Sequence, residues 1–118
     1  MDGFSGYNQI HIAPEYQDKT TFTCPWGTFS YRVLPFGLSN APTTFQRAIF
    51  NIFLDLIIEG LKVYMDYFTP YGDDFKQALQ TLEKFLEWCI ATSLCLSHEK
   101  CHMMMTKGLI LGHYILVF

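Results

Sequence analysis

Residues 45–66 constrain the fold more than any other part of the chain. Phe45, Ile49, Phe53 and Leu56 recur at three- and four-residue spacing, the period that lines one face of an α-helix. Gly60 ends the run, because a residue without Cβ is the usual helix stop. The period then changes. Leu61, Val63 and Met65 alternate with Lys62, Tyr64 and Asp66, which places the two sets on opposite faces of a short strand. A helix that returns directly into a strand must bury its apolar stripe against the sheet which that strand joins.

The remaining segments extend this unit. Asp74 and Gln77 form a capping-box pattern, and Phe75, Leu79, Leu82, Leu86 and Cys89 repeat at helical spacing behind it. Pro70-Tyr71-Gly72 turns the chain between the strand and this second helix. Upstream, residues 20–24 and 28–34 alternate in polarity around Pro25-Trp26-Gly27. Proline second and glycine fourth suit a tight turn, so a hairpin is predicted. A loop then leads to Asn40, the predicted cap of the first helix, with Pro42 tolerated in its first turn. Residues 1–7 read as a strand end running into a turn. Residues 93–96 and 109–117 read as short strands. The order β, hairpin, α, β, α, β predicts an α+β fold, with both helices on one face of a mainly antiparallel sheet.

Length allows one domain, since the chain has 118 residues. Half of it is hydrophobic, enough for a core, and only 16% is charged, less than a free-standing surface normally carries. Part of the surface is therefore expected to be covered by other chain. The net charge of -3 gives no sign of the basic patch that phosphate contact favours. The N-terminus lacks a basic segment followed by an apolar run, so no signal peptide is predicted. Residues 48–58 are the most apolar stretch, but they contain Asn51 and Asp55 and are too short to span a bilayer. An intracellular, soluble chain with reduced cysteines and no membrane contact is the expectation.

Two acids carry the chemistry that residue type alone suggests. Asp2 ends one predicted strand and Asp66 ends the apolar strand of residues 61–65. On neighbouring strands they would suit Mg²⁺, which takes one or two carboxylates plus substrate phosphates. Two solvated strand-end acids are the plainer reading, and both stay open at this level. Cys95, His98, Cys101 and His102 do not follow the paired spacing of a zinc site. Met103, Met104 and Met105 read as core or interface filler. Trp26, Phe29 and Tyr31 offer faces for base stacking, although hairpin packing accounts for them as well.

Longer blocks decide between these readings. Asp2-Gly-Phe-Ser-Gly-Tyr-Asn-Gln-Ile, Thr21-Phe-Thr-Cys-Pro-Trp-Gly-Thr-Phe, Leu34-Pro-Phe-Gly-Leu-Ser-Asn-Ala-Pro-Thr-Thr-Phe-Gln-Arg and Val63-Tyr-Met-Asp occur in this order. Glu99-Lys-Cys-His and Leu111-Gly-His follow. Together they resemble the reverse transcriptase of Ty3/gypsy-type LTR retrotransposons, a part of the Pol polyprotein. The resemblance implies the palm of a right-hand polymerase: a ferredoxin-like antiparallel sheet with two helices on one face, plus a fingers-type hairpin insertion. It implies that residues 1–118 are a partial domain, truncated at both ends, with the N-terminal fingers and the thumb absent.

It also implies roles. Asp2 and Asp66 would be catalytic and would hold Mg²⁺. Ser5 and Gly6 would offer backbone N–H groups to the incoming triphosphate, and Tyr7 would exclude a ribose 2′-OH. Phe36 and Gly37 would contact nucleotide and template. Tyr64 and Met65, with Gly112 and His113, would bear on primer and template, and Lys100 falls near a late lysine of the family. Primer–template nucleic acid and dNTP are the implied partners, alongside self-association or other Pol segments. The chain departs from the family at one position. Where the family has a tandem Asp-Asp, this chain has Asp66-Tyr67. A phenol has an ordinary pKa near 10 and is a poor Mg²⁺ ligand at neutral pH. Asp73 and Asp74 lie beyond the turn at Pro70-Tyr71-Gly72 and do not replace the lost acid. The expected function is thus an RNA-directed DNA polymerase fragment that has lost activity. A non-catalytic nucleic-acid or protein interaction module using the exposed palm surface is the alternative.

Overall fold

The computed structural model describes residues 1–103, 105–110 and 112–116. Its centre is a short antiparallel sheet. Strands β3 (Leu61–Tyr64) and β4 (Tyr67–Pro70) pair from Leu61↔Pro70 to Tyr64↔Tyr67. Residues 1–4 lie along the free edge of β4. Asp2 bridges Tyr67, and the Phe68 N–H donates to the Met1 carbonyl at 2.7 Å. Residues 95–97 lie along the other side of residues 1–4. Gly3 bridges Leu96, the Ser97 N–H donates to the Asp2 carbonyl at 2.7 Å, and the Phe4 N–H donates to the Cys95 carbonyl at 3.0 Å. The predicted strands at residues 1–7 and 93–96 are therefore real partners, but each is only two or three residues of pairing.

After the single-turn helix α1 (Pro14–Gln17), helix α2 (Ala41–Glu59) carries the predicted stripe: Phe45, Ile49, Phe53 and Leu56 are all buried. Asn40 is its N-cap and Pro42 lies in its first turn, but the Asn40 side chain makes no capping bond. At the other end, a Cβ on Gly60 would sit 2.7 Å from the Tyr71 carbonyl. Close backbone approach, rather than a left-handed turn, requires glycine there.

Helix α3 (Phe75–Ala91) begins as its sequence suggests, with the Gln77 N–H donating to Asp74 Oδ1 at 2.7 Å. The return bond goes one residue further out, from the Asp73 N–H to Gln77 Oε1 at 2.9 Å. Its buried face differs from the predicted stripe. Thr81, Phe85 and Cys89 are buried, while Phe75 is 70% and Leu79 45% exposed. Among the described residues, neither Phe75 nor Leu79 joins the buried cluster between sheet and helices. The helix closes with the Ser93 N–H on the Ile90 carbonyl at 3.2 Å and the Leu94 N–H on the Cys89 carbonyl at 2.9 Å. This is a Schellman end in which Ser93, at φ 56°, stands where glycine is usual.

Both helices cover one face of the sheet. Phe45, Ile49, Phe53, Leu56, Leu61, Phe68, Phe85 and Cys89 form one cluster. Phe85 sits 5.3 Å, centroid to centroid, from both Phe53 and Phe68. Phe68 of β4 faces these helices, so the alternating neighbours Tyr67 and Asp2 face away from them.

Two hairpins project from this body. β1 (Phe22–Cys24) and β2 (Gly27–Phe29) pair around Pro25-Trp26, as predicted though shorter. Residues 109–117, read as one strand, instead divide. β5 (Lys107–Ile110) and β6 (His113–Leu116) form a hairpin with Gly112 at φ 79°. The predicted contributions of Leu111 and Met104 lie outside the described residues. The chain is elongated, with a radius of gyration of 17.0 Å and extents of 58 × 26 × 21 Å. A compact chain of this length would have a radius near about 13–14 Å. Among the described residues no helix is long and apolar enough to cross a membrane.

Candidate functional site

Met65 and Asp66, read from the sequence as the end of the strand, instead form the two-residue turn between the cross-strand partners Tyr64 and Tyr67, because the chain reverses after Tyr64 to pair β4. Met65 has a positive φ of 52° and Asp66 does not, the sign pattern of a type II′ turn. Glycine is usual at the first position; a methionine there costs about 1–2 kcal/mol. The turn is held from the side as well, since the Gly3 N–H donates to the Asp66 carbonyl at 2.8 Å.

Two glycines let Asp66 settle against the first strand. A Cβ on Gly3 would lie 3.5 Å from the Asp66 Cβ. On Gly6 it would lie 3.1 Å from both the Asp66 Cβ and the Phe45 ring. The run Asp2-Gly-Phe-Ser-Gly thus brings an acid and two open positions under the hairpin turn.

Asp2 is buried at 4% exposure, and among the described residues its Oδ1 has no hydrogen-bond partner. Its Oδ2 lies 3.6 Å from Lys100 Nζ. Burial raises the Asp66 carboxyl above its usual range, more than a bond from its own backbone lowers it. The Asp2 charge, and a hydrogen bond with Asp2 when Asp66 is protonated, raise it further, and Lys100 opposes this.

This donor set fits a hard divalent cation. It offers two carboxylates side by side, one with a buried, unpartnered oxygen, and Mg²⁺ prefers oxygen ligands of this kind. It is not a full three-acid set. Among the described residues no group of three His, Cys, Asp or Glu side chains is placed to hold a metal. Tyr67, 49% exposed, is the residue directly across from Asp2.

The other residues singled out by sequence fall into three groups. Ser5, at φ 47°, and Gly6 open the 3₁₀ turn Gly6–Gln9 beside Asp66. The Tyr7 ring stands edge-on to Phe36 at 5.1 Å and to Phe45 at 5.2 Å, so Tyr7 and Phe36 share one wall, with Gly37 next to them at φ 96°. Tyr64 and Met65 belong to the turn itself. Gly112 and His113 are not brought to the carboxylates. They sit on the β5–β6 hairpin, whose Leu109 and Tyr114 are 71% and 65% exposed.

Sequence reasoning missed the residue that staples the first strand in place. Gln9 Nε2 donates to the Phe4 carbonyl at 2.5 Å and the Cys95 carbonyl at 2.9 Å, while the Cys95 N–H donates to Gln9 Oε1 at 2.8 Å. Only its place inside the Asp2 block hinted at this. The contact of Lys100 with Asp2 was likewise invisible, because the two residues lie at opposite ends of the chain.

The sequence profile of the reverse transcriptase (RNA-dependent DNA polymerase) family matches residues 1–115. The chain belongs to this family. It is 30% identical over 115 residues to the retrovirus-related Pol polyprotein from transposon 297 of Drosophila melanogaster, covering 98% of this chain and 11% of that protein. It is 32% identical to the corresponding polyprotein from transposon opus of the same organism, again over 98% of this chain and 12% of the relative. The gypsy polyprotein is 31% identical over 100 residues, 85% of this chain and 10% of that one. The Ty3/gypsy resemblance is borne out, and the chain spans about a tenth of the length of these relatives.

The palm fold is borne out too. Native prototype foamy virus protease-reverse transcriptase superposes with a TM-score of 0.82 at 26% identity, over 97% of this chain and 15% of that one. The foamy viral protease-reverse transcriptase in complex with RNA/DNA hybrid superposes with a TM-score of 0.85 at 23% identity, over 98% of this chain and 15% of that one.

Proposed function

We propose that this chain is the metal-holding palm segment of an RNA-directed DNA polymerase in which one catalytic position has been lost. Residues 1–118 would form a partial domain whose fingers and thumb come from other chain. The burial of Asp2 with a partnerless Oδ1 beside Asp66 carries this reading. Such a carboxylate is costly to keep in a fold unless a cation completes it. When bound, Mg²⁺ would activate the primer 3′-oxygen and offset charge on the leaving pyrophosphate.

The chain's own residues do the positioning. Asp2 is fixed by pairing on both sides, and Asp66 by a strained turn locked to Gly3. Ser5 and Gly6 lie beside them to receive a triphosphate. Tyr7, edge-on to both Phe36 and Phe45, would bar a 2′-OH. Phe36 and Gly37 would flank nucleotide and template, and Tyr64, Met65, Gly112 and His113 would meet primer and template.

Tyr67 removes one anionic partner of the transition state, worth roughly 10²–10³ in rate. Residues 1–118 taken alone would also lack positioning by fingers and thumb, which supplies about 7–11 kcal/mol of a barrier. The second loss dominates. Dependence on Mg²⁺ of dNTP incorporation on a primed RNA template tests this. The chain alone should be silent, with or without Tyr67→Asp. Placed within a complete family scaffold it should be weak, and Tyr67→Asp should rescue it there. Robust incorporation by the unmodified chain, abolished by Asp66→Ala, would overturn the proposal.

An interaction role for the palm surface has its own support. Phe36, Ile58 and Ile90 are each 78–82% exposed. Apolar surface of this kind favours association with other chain or with itself. Sedimentation should show self-association; a monodisperse monomer would refute it.

A further inference from the structure

Asp2 already has a cation, and that cation belongs to the chain. Lys100 Nζ lies 3.6 Å from Asp2 Oδ2, with the lysine side chain 72% exposed and the aspartate side chain 6%. The approach is built into the sheet. Lys100 ends the 3₁₀ turn His98–Lys100, which follows directly on residues 95–97. Those residues are hydrogen-bonded to the Asp2 strand through Ser97 and Cys95, and Gln9 ties the same two segments together. The pairing that places Asp2 therefore places Lys100. Its charge also favours the ionised form of Asp66, against burial and the Asp2 charge. It reaches only one oxygen of Asp2 and leaves Oδ1 bare.

Charge makes this contact matter more here than beside three carboxylates. Two acids and one ammonium leave a single net negative charge, because Tyr67 contributes none. We propose that Lys100 is a tethered counter-cation of the Asp2–Asp66 site, which neutralises Asp2 in the metal-free chain and must be displaced from it for a divalent cation to bind. The inference rests on the reading of Asp2 and Asp66 as a cation-holding pair. Displacement is feasible because the lysine side chain is exposed to solvent, whereas Asp2 is buried and paired on both sides.

Mn²⁺ binding to the whole 118-residue chain, followed by electron paramagnetic resonance, tests the proposal. Lys100→Met should bind Mn²⁺ about 3–10-fold more tightly than the unmodified chain, the range for losing a competitor whose own pairing is half solvated. Lys100→Arg should bind like the unmodified chain. Lys84→Met is the control for overall charge, since Lys84 pairs with Glu59 at 2.6 Å on the outer surface, and it should leave affinity unchanged. Should Lys100→Met fail to fold, Lys100→Gln and the Lys100 side-chain NMR signals of the unmodified chain carry the test, because those signals should move when Mg²⁺ is added. Equal or weaker Mn²⁺ binding by the neutral variants, or Lys100 signals indifferent to Mg²⁺, would overturn it. Asp66→Asn separates the two levels. Loss of Mn²⁺ binding in Asp66→Asn with no effect at Lys100 sinks only this inference; binding that ignores Asp66→Asn sinks the cation site as well.

Discussion

Tyr67→Asp would set a third carboxylate directly across the strand pair from Asp2. Opposed residues in an antiparallel pair have Cβ atoms about 4.5–5.5 Å apart. At about 5 Å, two unit charges at an effective dielectric near 20 repel by roughly 3 kcal/mol. Asp2 is buried, but residue 67 is half exposed, so solvent screens part of this. A net cost of about 1–3 kcal/mol follows. For a chain of 118 residues the unfolding entropy is about 0.25 kcal/mol/K, so the metal-free Tm should fall by about 4–12 °C. Tyr67→Asn removes the same ring without adding charge and calibrates the lost packing. Mg²⁺ should reverse the deficit of Tyr67→Asp and raise the Tm of Tyr67→Asn by less, because a ligand stabilises the state that binds it and the third carboxylate tightens that binding. Thermal unfolding by circular dichroism, with EDTA and with a Mg²⁺ series, reads both effects. Equal Tm values for the two variants in EDTA, or equal Mg²⁺ responses, would refute the placement of residue 67 against the Asp2–Asp66 pair.

Three further outcomes are expected. Because the Asp66 carboxyl is raised in the fold, its protonated form is favoured there, and stability is lost as pH rises from the ordinary carboxylate value through the raised one; Asp66→Asn should therefore be more stable than the unmodified metal-free chain at pH 7, with the advantage vanishing in acid, and an advantage independent of pH would contradict the assignment. Phe85→Ala empties a fully buried position between the Phe53 and Phe68 rings and should cost about 3–5 kcal/mol in urea unfolding; a cost under about 1 kcal/mol would mean the cluster is not the core. Gln9→Ala removes three exposed hydrogen bonds between residues 1–4 and Cys95, worth about 1–3 kcal/mol together, and should speed amide exchange at Phe4 and Ser97 ahead of the helices; unchanged exchange there would deny Gln9 its stapling role.

Local pattern determined the parts of this protein that depend on neighbours in sequence. The α2 stripe, the Asp74–Gln77 cap, the Pro25-Trp26 turn and the strand that follows Gly60 were legible because helix period, capping and turn chemistry act over a few residues. The block Asp2-Gly-Phe-Ser-Gly and its successors named the family, since their order is a property of the string itself. Tertiary structure decided the rest. Phe75 and Leu79 share the period of Leu82 and Leu86, yet they are exposed, because what a helix face meets is not written in the helix. Residues 109–117 divided into a hairpin, since an apolar run does not by itself say whether it doubles back. Above all, the site assembled from three distant places. Strand pairing puts Tyr67 opposite Asp2, and residues 95–97 bring Lys100 to the same carboxylate. Such contacts arise from sheet register across long sequence separation, where no periodicity reaches, so only the folded chain shows which charges meet.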